Sequence, residues 1–174
     1  MKPPVTFNTG NVEWYTPPDI VHAVHQTLGH VDLDPASSST ANETIKAKKF
    51  FTAADDSLNR PWFGRIYLNP PYARGVVKKF VSKLIYEFNT GHVKSAVILV
   101  NAQTDAKWFN SLAQACTGAI FTLGRIRFLQ ANGTLSKNTP TLGQCIFYLG
   151  YDVEKFFAAF APFGYPVFFG KKIT

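Results

Sequence analysis

Asn69-Pro70-Pro71-Tyr72 directly follows the apolar run Ile66-Tyr67-Leu68. Two successive prolines serve no purpose in sheet pairing, because each fixes φ and removes an N–H donor. What they build is a rigid turn whose free carbonyls point past the end of a strand. That arrangement suits methylation of a planar amine. An exocyclic amine such as N6 of adenine is conjugated with its ring and is a poor nucleophile. Two acceptors, the Asn69 side-chain oxygen and the Pro70 carbonyl, can hold its two hydrogens, localise the lone pair and aim it at a methyl sulfonium. Preorganised hydrogen bonds of this kind require no metal and no strong base. Tyr72 can stack on a base swung out of its helix, a contact worth roughly 1–3 kcal/mol. The plainer alternative is a proline-rich turn with an Asn cap.

The elements around this turn must hold it at the end of a sheet. Thr16-Pro17-Pro18-Asp19 predicts a helix start, with Thr16 as cap. Ile20, Val21, Val24 and Leu28 mark one face of that helix, which ends at Gly29. Val31-Asp32-Leu33-Asp34 predicts a short strand broken by Pro35, and Phe50-Phe51-Thr52 a second one. Gly64 to Leu68 predicts the strand that carries the catalytic turn. Residues 76–88 and 105–115 read as helices. Ala96 to Val100 is the continuous apolar run of a buried parallel strand, and Ala119 to Leu123 reads as another strand. Residues 124–143 read as a long surface loop. Gln144 to Leu149 predicts a strand, residues 152–160 a helix, and Pro166 to Phe169 a last strand. Strands alternating with helices predict an α/β domain with a mostly parallel sheet. Ligands of such sheets bind beyond the carboxyl ends of the strands. Asp34, Asp55, Asn69 and Asn101 stand at or just past predicted strand ends and are expected on one edge.

With 174 residues the chain is expected to form one domain. Residues 1–12 read as a polar arm, and 13–174 as a single catalytic domain. Its 46% hydrophobic content and sixteen Phe exclude a disordered chain. A net charge of +7 suits a polyanionic partner such as DNA or RNA, or merely a solvated basic surface. Cys116 and Cys145 make no disulfide framework and no metal-site spacing, and are expected to be core thiols. His22 and His25 have helical i, i+3 spacing but read as helix surface, so no metal is expected. The N-terminus lacks the apolar run of a signal peptide. No segment reaches the roughly 20 apolar residues of a membrane span. The expected location is the cytoplasm, and the host cytoplasm if the chain is phage-encoded.

The Asn69–Tyr72 tetrapeptide matches the catalytic motif of methyltransferases that act on adenine, cytosine N4 or glutamine. The wider series is more specific. Glu13-Trp14-Tyr15-Thr16-Pro17, Leu33-Asp34-Pro35-Ala36-Ser37, Phe50-Phe51-Thr52, Asp55-Asp56-Ser57-Leu58, Trp62-Phe63-Gly64-Arg65 and the catalytic tetrapeptide follow in order. Over roughly residues 13–150 this series resembles the small phage-type DNA N6-adenine methyltransferase (Dam) family. The resemblance implies a Rossmann-like methyltransferase fold with helices on both faces of the sheet, and S-adenosylmethionine as donor. It assigns Tyr15, Thr16 and Pro17 to the segment closing over the methionine end of the cofactor. It assigns Asp34, Pro35, Ala36 and Ser37 to the loop that cradles the methionine moiety, with Asp34 as partner of the cofactor ammonium. Asp55 corresponds to the carboxylate that accepts from the cofactor's adenine, with Asp56 as its rival. Helix-cap or turn duty is the plainer role for either. The family's Gly-x-Gly after the first strand is replaced by Ala36, Ser37 and Ser38. No acid marks a second strand end for the ribose hydroxyls, where Asn42 and Glu43 are candidates, although such residues more often simply start a helix.

No insertion is large enough for a separate target-recognition domain, so loops must contact the double-stranded DNA. Arg125, Arg127 and Lys137 of the 124–143 loop are the candidates, with Arg74, Lys78 and Lys79 beside the catalytic turn. Trp14, Trp62 and Trp108 are either core or stacking platforms. Three readings follow. The first is a DNA adenine N6-methyltransferase acting on a flipped-out adenine. The second is a methyltransferase of RNA or of a protein glutamine. The third is a DNA-binding module with a decayed site, against which the intact Asn69–Tyr72 run speaks. No obligate protein partner is evident.

Overall fold

The computed structural model describes residues 15–73, 75–130, 133–136 and 140–169. The expected arm over residues 1–12, and Glu13, Trp14, Arg74 and Lys137, lie outside them. Helix α1 (Pro18–Leu28) buries Ile20, Val21, Val24 and Leu28 on one face. It stops at Gly29, whose φ of 78° and N–H bond to the His25 carbonyl close the last turn. The expected Thr16 cap is not made. Pro17 occupies the cap position without a side-chain bond, and the Thr16 hydroxyl is engaged in the interior instead.

The chain continues through β1 (Leu33–Asp34), α2 (Ser39–Ile45), β2 (Lys49–Phe50), β3 (Gly64–Leu68), α3 (Val76–Asn89) and β4 (Val93–Asn101). Then come α4 (Lys107–Ala115), β5 (Gly118–Thr122), β6 (Gln144–Leu149), α5 (Val153–Phe160) and β7 (Gly164–Val167). Helix α2 has no apolar stripe to announce it. Ser38 caps it through the Ala41 N–H, and Asn42 ties its end to both backbone groups of Ala47. That amide is therefore spent on a turn. The last strand lies two residues earlier than expected.

One seven-stranded sheet runs in the order β2-β1-β3-β4-β6-β5-β7. The expectation of a mostly parallel sheet is corrected: the sheet is mixed. β1–β2, β1–β3 and β3–β4 pair parallel, whereas β4–β6, β5–β6 and β5–β7 pair antiparallel. The reason is the connection from β5 to β6, which contains no helix among its described residues. Parallel neighbours need a crossover, whereas a loop returns the chain antiparallel. β6 thus inserts between β4 and β5, and all six of its residues are buried.

Side chains alternate across this sheet into two cores. Leu68, Ile98 and Phe147 pack with Phe80 and Leu84 of α3 and Leu112 of α4. Tyr67, Val97 and Ile146 pack on the other face with Val21 and Val24 of α1 and Phe156 and Phe160 of α5. Helices therefore cover both faces. Cys145 sits inside β6 and Cys116 at the end of α4, and burial pushes both thiols up to about 12. At the edge holding the strand starts, Asp32 accepts from Lys48 Nζ at 2.8 Å and from the Arg65 N–H at 2.9 Å. Gly64 closes on it so tightly that a Cβ would stand 2.6 Å from Asp32 Oδ2. No helix among the described residues is long and apolar enough to cross a membrane.

Candidate active site

The opposite edge gathers Asp34 at the end of β1, Asn69 just past β3, Asn101 at the end of β4 and Gln144 at the start of β6. Pro70 is buried against this edge, while Pro71 and Tyr72 are exposed. Tyr72 is anchored although its ring is 36% exposed. Its hydroxyl donates to the Leu99 carbonyl at 3.2 Å and reaches Asn69 Oδ1 at 3.4 Å. Desolvation at that inner end raises the phenol above its ordinary range.

Asp34 is 3% exposed, and no cation pairs with it among the described residues. Burial pushes its carboxyl up to about 6, against the Ala36 N–H (3.1 Å) and the Ser37 hydroxyl, which favour the ionised form. Ser37 Oγ is itself buried and meets no hydrogen-bond geometry, so its help is dipolar. The loop from Asp34 to Ser37 is fixed by two backbone bonds, Phe51 N–H to Asp34 carbonyl and Ser37 N–H to Phe51 carbonyl. A buried carboxylate without a cation, beside an unsatisfied buried hydroxyl, is a cradle for a cationic polar group. An amino-acid ammonium fits that donor and acceptor set.

Thr16 joins this cluster through Tyr67. Their hydroxyls are 2.7 Å apart, and both side chains are buried. Desolvation dominates in raising the Tyr67 phenol, and the nearby Asp34 carboxyl and Tyr72 raise it further. Hydrogen bonds thus link Thr16 to Tyr67 and Tyr72 to Asn69, and the Asp34 carboxyl is near enough to bear on the Tyr67 phenol. Tyr15 pairs its backbone with Leu129, at 3.1 and 2.8 Å, which ties the segment ahead of α1 to the 124–143 loop.

The acidic pair behaves differently. Asp55 Oδ2 accepts from the Thr52 N–H and hydroxyl, both at 2.7 Å, in a capping box. Those bonds hold its carboxyl below the ordinary range. Asp56 adopts a left-handed backbone, φ 46°, and accepts from Asn59 Nδ2 at 2.7 Å. Both carboxylates do local turn work, although Asp55 stands only four residues past Phe51, which holds the Asp34 loop. Trp62 is core: its Nε1–H binds the Ser57 carbonyl beneath that acidic turn.

Arg125 and Arg127 are exposed, while Ile126 and Phe128 between and beyond them turn inward. The loop is thus anchored at its root. Lys78 and Lys79 are exposed at the start of α3. His25 Nε2 meets the Ile45 carbonyl at 2.8 Å. Sequence reasoning missed Tyr67 and Gln144. Tyr67 is a polar tip inside an apolar strand run and Gln144 a polar residue opening one, and that mismatch was the available signal.

An α/β sheet with a strand-terminal Asn-Pro-Pro-Tyr turn beside a buried acidic loop defines a methyltransferase of planar amines. A family model described as DNA N-6-adenine-methyltransferase (Dam) matches residues 6–152, and the chain belongs to that family. It is accordingly a DNA (adenine-N6)-methyltransferase, of a class that generally draws its methyl group from S-adenosylmethionine. A comparison with curated proteins gave no match.

Proposed function

We propose that the Asn69–Tyr72 turn methylates an adenine flipped out of duplex DNA, with S-adenosylmethionine held against Asp34. The observation that carries this reading is the turn's position at the end of β3, on the same sheet edge as a buried carboxylate that no cation pairs among the described residues. When bound, the cofactor would supply an electrophilic methyl group on a sulfonium: the S–CH3 bond breaks to leave a neutral thioether as the N6–CH3 bond forms, and the methylated nitrogen sheds one hydrogen as a proton to solvent. Asp34 pairs with the cofactor's ammonium, Ser37 offers a hydroxyl to the same end, and Tyr15, Thr16 and Pro17 close over it. Asn69 Oδ1 and the Pro70 carbonyl accept the two N6 hydrogens, and Tyr72 stacks on the base. For that, the Tyr72 hydroxyl must yield Asn69 Oδ1, and a contact of 3.4 Å is weak enough to yield. Asp55 serves the cofactor's adenine only with whatever its capping bonds leave over. Arg125, Arg127, Lys78 and Lys79 contact phosphates, with Arg74 and Lys137 outside the described residues.

The test is incubation with labelled S-adenosylmethionine and duplex DNA, RNA or total protein, followed by digestion. Label in N6-methyladenine from DNA is the expected result. Label confined to RNA or to glutamine would move the substrate elsewhere. DNA binding without transfer would mark a decayed site.

A further inference from the structure

Tyr72 is a partition. Its hydroxyl faces Asn69 and Leu99, whereas its ring lines a cleft of about 280 Å³ on the side of α3 and α4. Trp108, Gln103, Asn101 and Lys78 line the same cleft. Trp108 sits in the first turn of α4, half-buried, and is steadied edge-on by Phe109 with ring centroids 5.8 Å apart. Gln103 is exposed, but its backbone is fixed on both sides. Its N–H binds the Asn101 carbonyl, and its carbonyl accepts the Ala106 N–H. A rigid turn therefore presents a side-chain amide, the group that reads base edges through one donor and one acceptor. Lys78 stands exposed at the rim, where a phosphate contact suits it.

Two aromatics, an amide and a lysine around a space near the lower limit of ligand pockets, roughly 300 Å³, fit one nucleobase. We infer that this cleft is a second nucleotide subsite: Trp108 is the platform for the base beside the target adenine, Gln103 reads its edge, and Lys78 holds its phosphate. The inference rests on the reading that the chain methylates adenine in DNA. It makes Gln103 and Trp108 determinants of flanking-sequence preference.

The experiment methylates a duplex library with randomised positions around a fixed adenine and sequences the N6-methylated products. It uses wild type, Gln103→Ala, Trp108→Ala and Trp108→Phe, each checked for cofactor binding. Wild type is expected to prefer one base next to the adenine, and Gln103→Ala to lose that preference with cofactor affinity unchanged. Trp108→Ala is expected to raise KM for DNA about tenfold with kcat little changed, and Trp108→Phe to restore most of it. Unchanged preference in Gln103→Ala, or no preference in wild type, overturns the reading role of Gln103. Unchanged KM in Trp108→Ala overturns the platform. Should that variant fail to fold, Trp108→Phe with wild-type KM, together with a Gln103→Ala loss of preference, supports the subsite, and retained preference overturns it. A wild type that puts no methyl on DNA adenine defeats the underlying reading instead.

Discussion

The hydroxyls of Thr16 and Tyr67 lie 2.7 Å apart in the interior, although 51 positions separate them in the chain. This bond pins the segment ahead of α1 to the strand that carries the catalytic turn. Tyr67→Phe keeps the ring in the α1–α5 core and removes only the hydroxyl. Thr16 Oγ1 is then buried without its partner, at a cost of about 1–3 kcal/mol. The expected outcome is a cofactor Kd raised several-fold with KM for DNA unchanged, measured by calorimetry and steady-state kinetics. Equal effects on both would show that Tyr67 merely supports the core.

In the proposed mechanism, Asn69→Ala removes one of two acceptors for the substrate amine. Transfer is expected to fall by about 10²–10³ or more, because such acceptors act chiefly in the transition state. Cofactor binding, which we assign to Asp34 and the residues around it, should largely survive. Single-turnover methylation alongside cofactor titration separates the two, and near-wild-type transfer would remove Asn69 from the mechanism.

Much of this edge was legible in the sequence, since proline pairs and strand-breaking acids announce strand ends by local sterics. Asp34-Pro35 and Asn69-Pro70-Pro71 fall where expected. The direction of β6 was readable too, because residues 124–143 read as a loop with no helix pattern to carry a parallel crossover, but strand–helix alternation elsewhere outweighed it. Helix α2 was not legible: it rests on the Ser38 cap and the Asn42–Ala47 bonds rather than on an apolar stripe. Nor could residue types show that Thr16 would bind Tyr67 rather than cap α1, since that partner comes from tertiary packing.

Asp34 should make cofactor binding depend on pH. Burial pushes its carboxyl up to about 6 in the folded protein, from an ordinary value of 3.8. Only the ionised form pairs with an ammonium, so affinity should climb between pH 5 and 7 and then level off. The effect on stability has the opposite sign. The folded state holds its proton more tightly, so stability falls as pH rises from about 4 through 6. Asp34→Asn should therefore raise Tm at pH 8, by up to a few kcal/mol of stability, with the gain vanishing near pH 4. The same variant should lose cofactor affinity. A Tm difference independent of pH would contradict the assignment.

Gly64→Ala tests the opposite edge. Gly64 has a φ of 70°, and an added Cβ would meet Asp32 at 2.6 Å. Both the backbone and the Asp32 bond to the Arg65 N–H would have to shift. A loss of about 1–3 kcal/mol is expected, read as a lower Tm with KM values unchanged in the folded fraction.

Gln144 tests whether the arginine-bearing loop acts as an anchored unit. Its side chain is 2% exposed, accepts the Ile126 N–H at 2.9 Å and donates to the Leu142 carbonyl at 2.7 Å. It also reaches Asn101 Oδ1 at 3.4 Å, beside the catalytic turn. One buried amide thus joins both ends of the loop to β4. Gln144→Leu keeps similar bulk and orphans the Ile126 N–H and the Leu142 carbonyl. Arg125 and Arg127 then lose their fixed bearing on the DNA. KM for DNA is expected to rise more than kcat falls, and the salt dependence of DNA binding should become shallower as phosphate contacts are lost. Cofactor affinity should fall less than DNA affinity, since Asp34 lies on the far side of β3 and, among the described residues, the loop's backbone meets the segment ahead of α1 only in the Tyr15–Leu129 pairing. A parallel loss of cofactor and DNA affinity would reduce Gln144 to a core residue with no bearing on DNA.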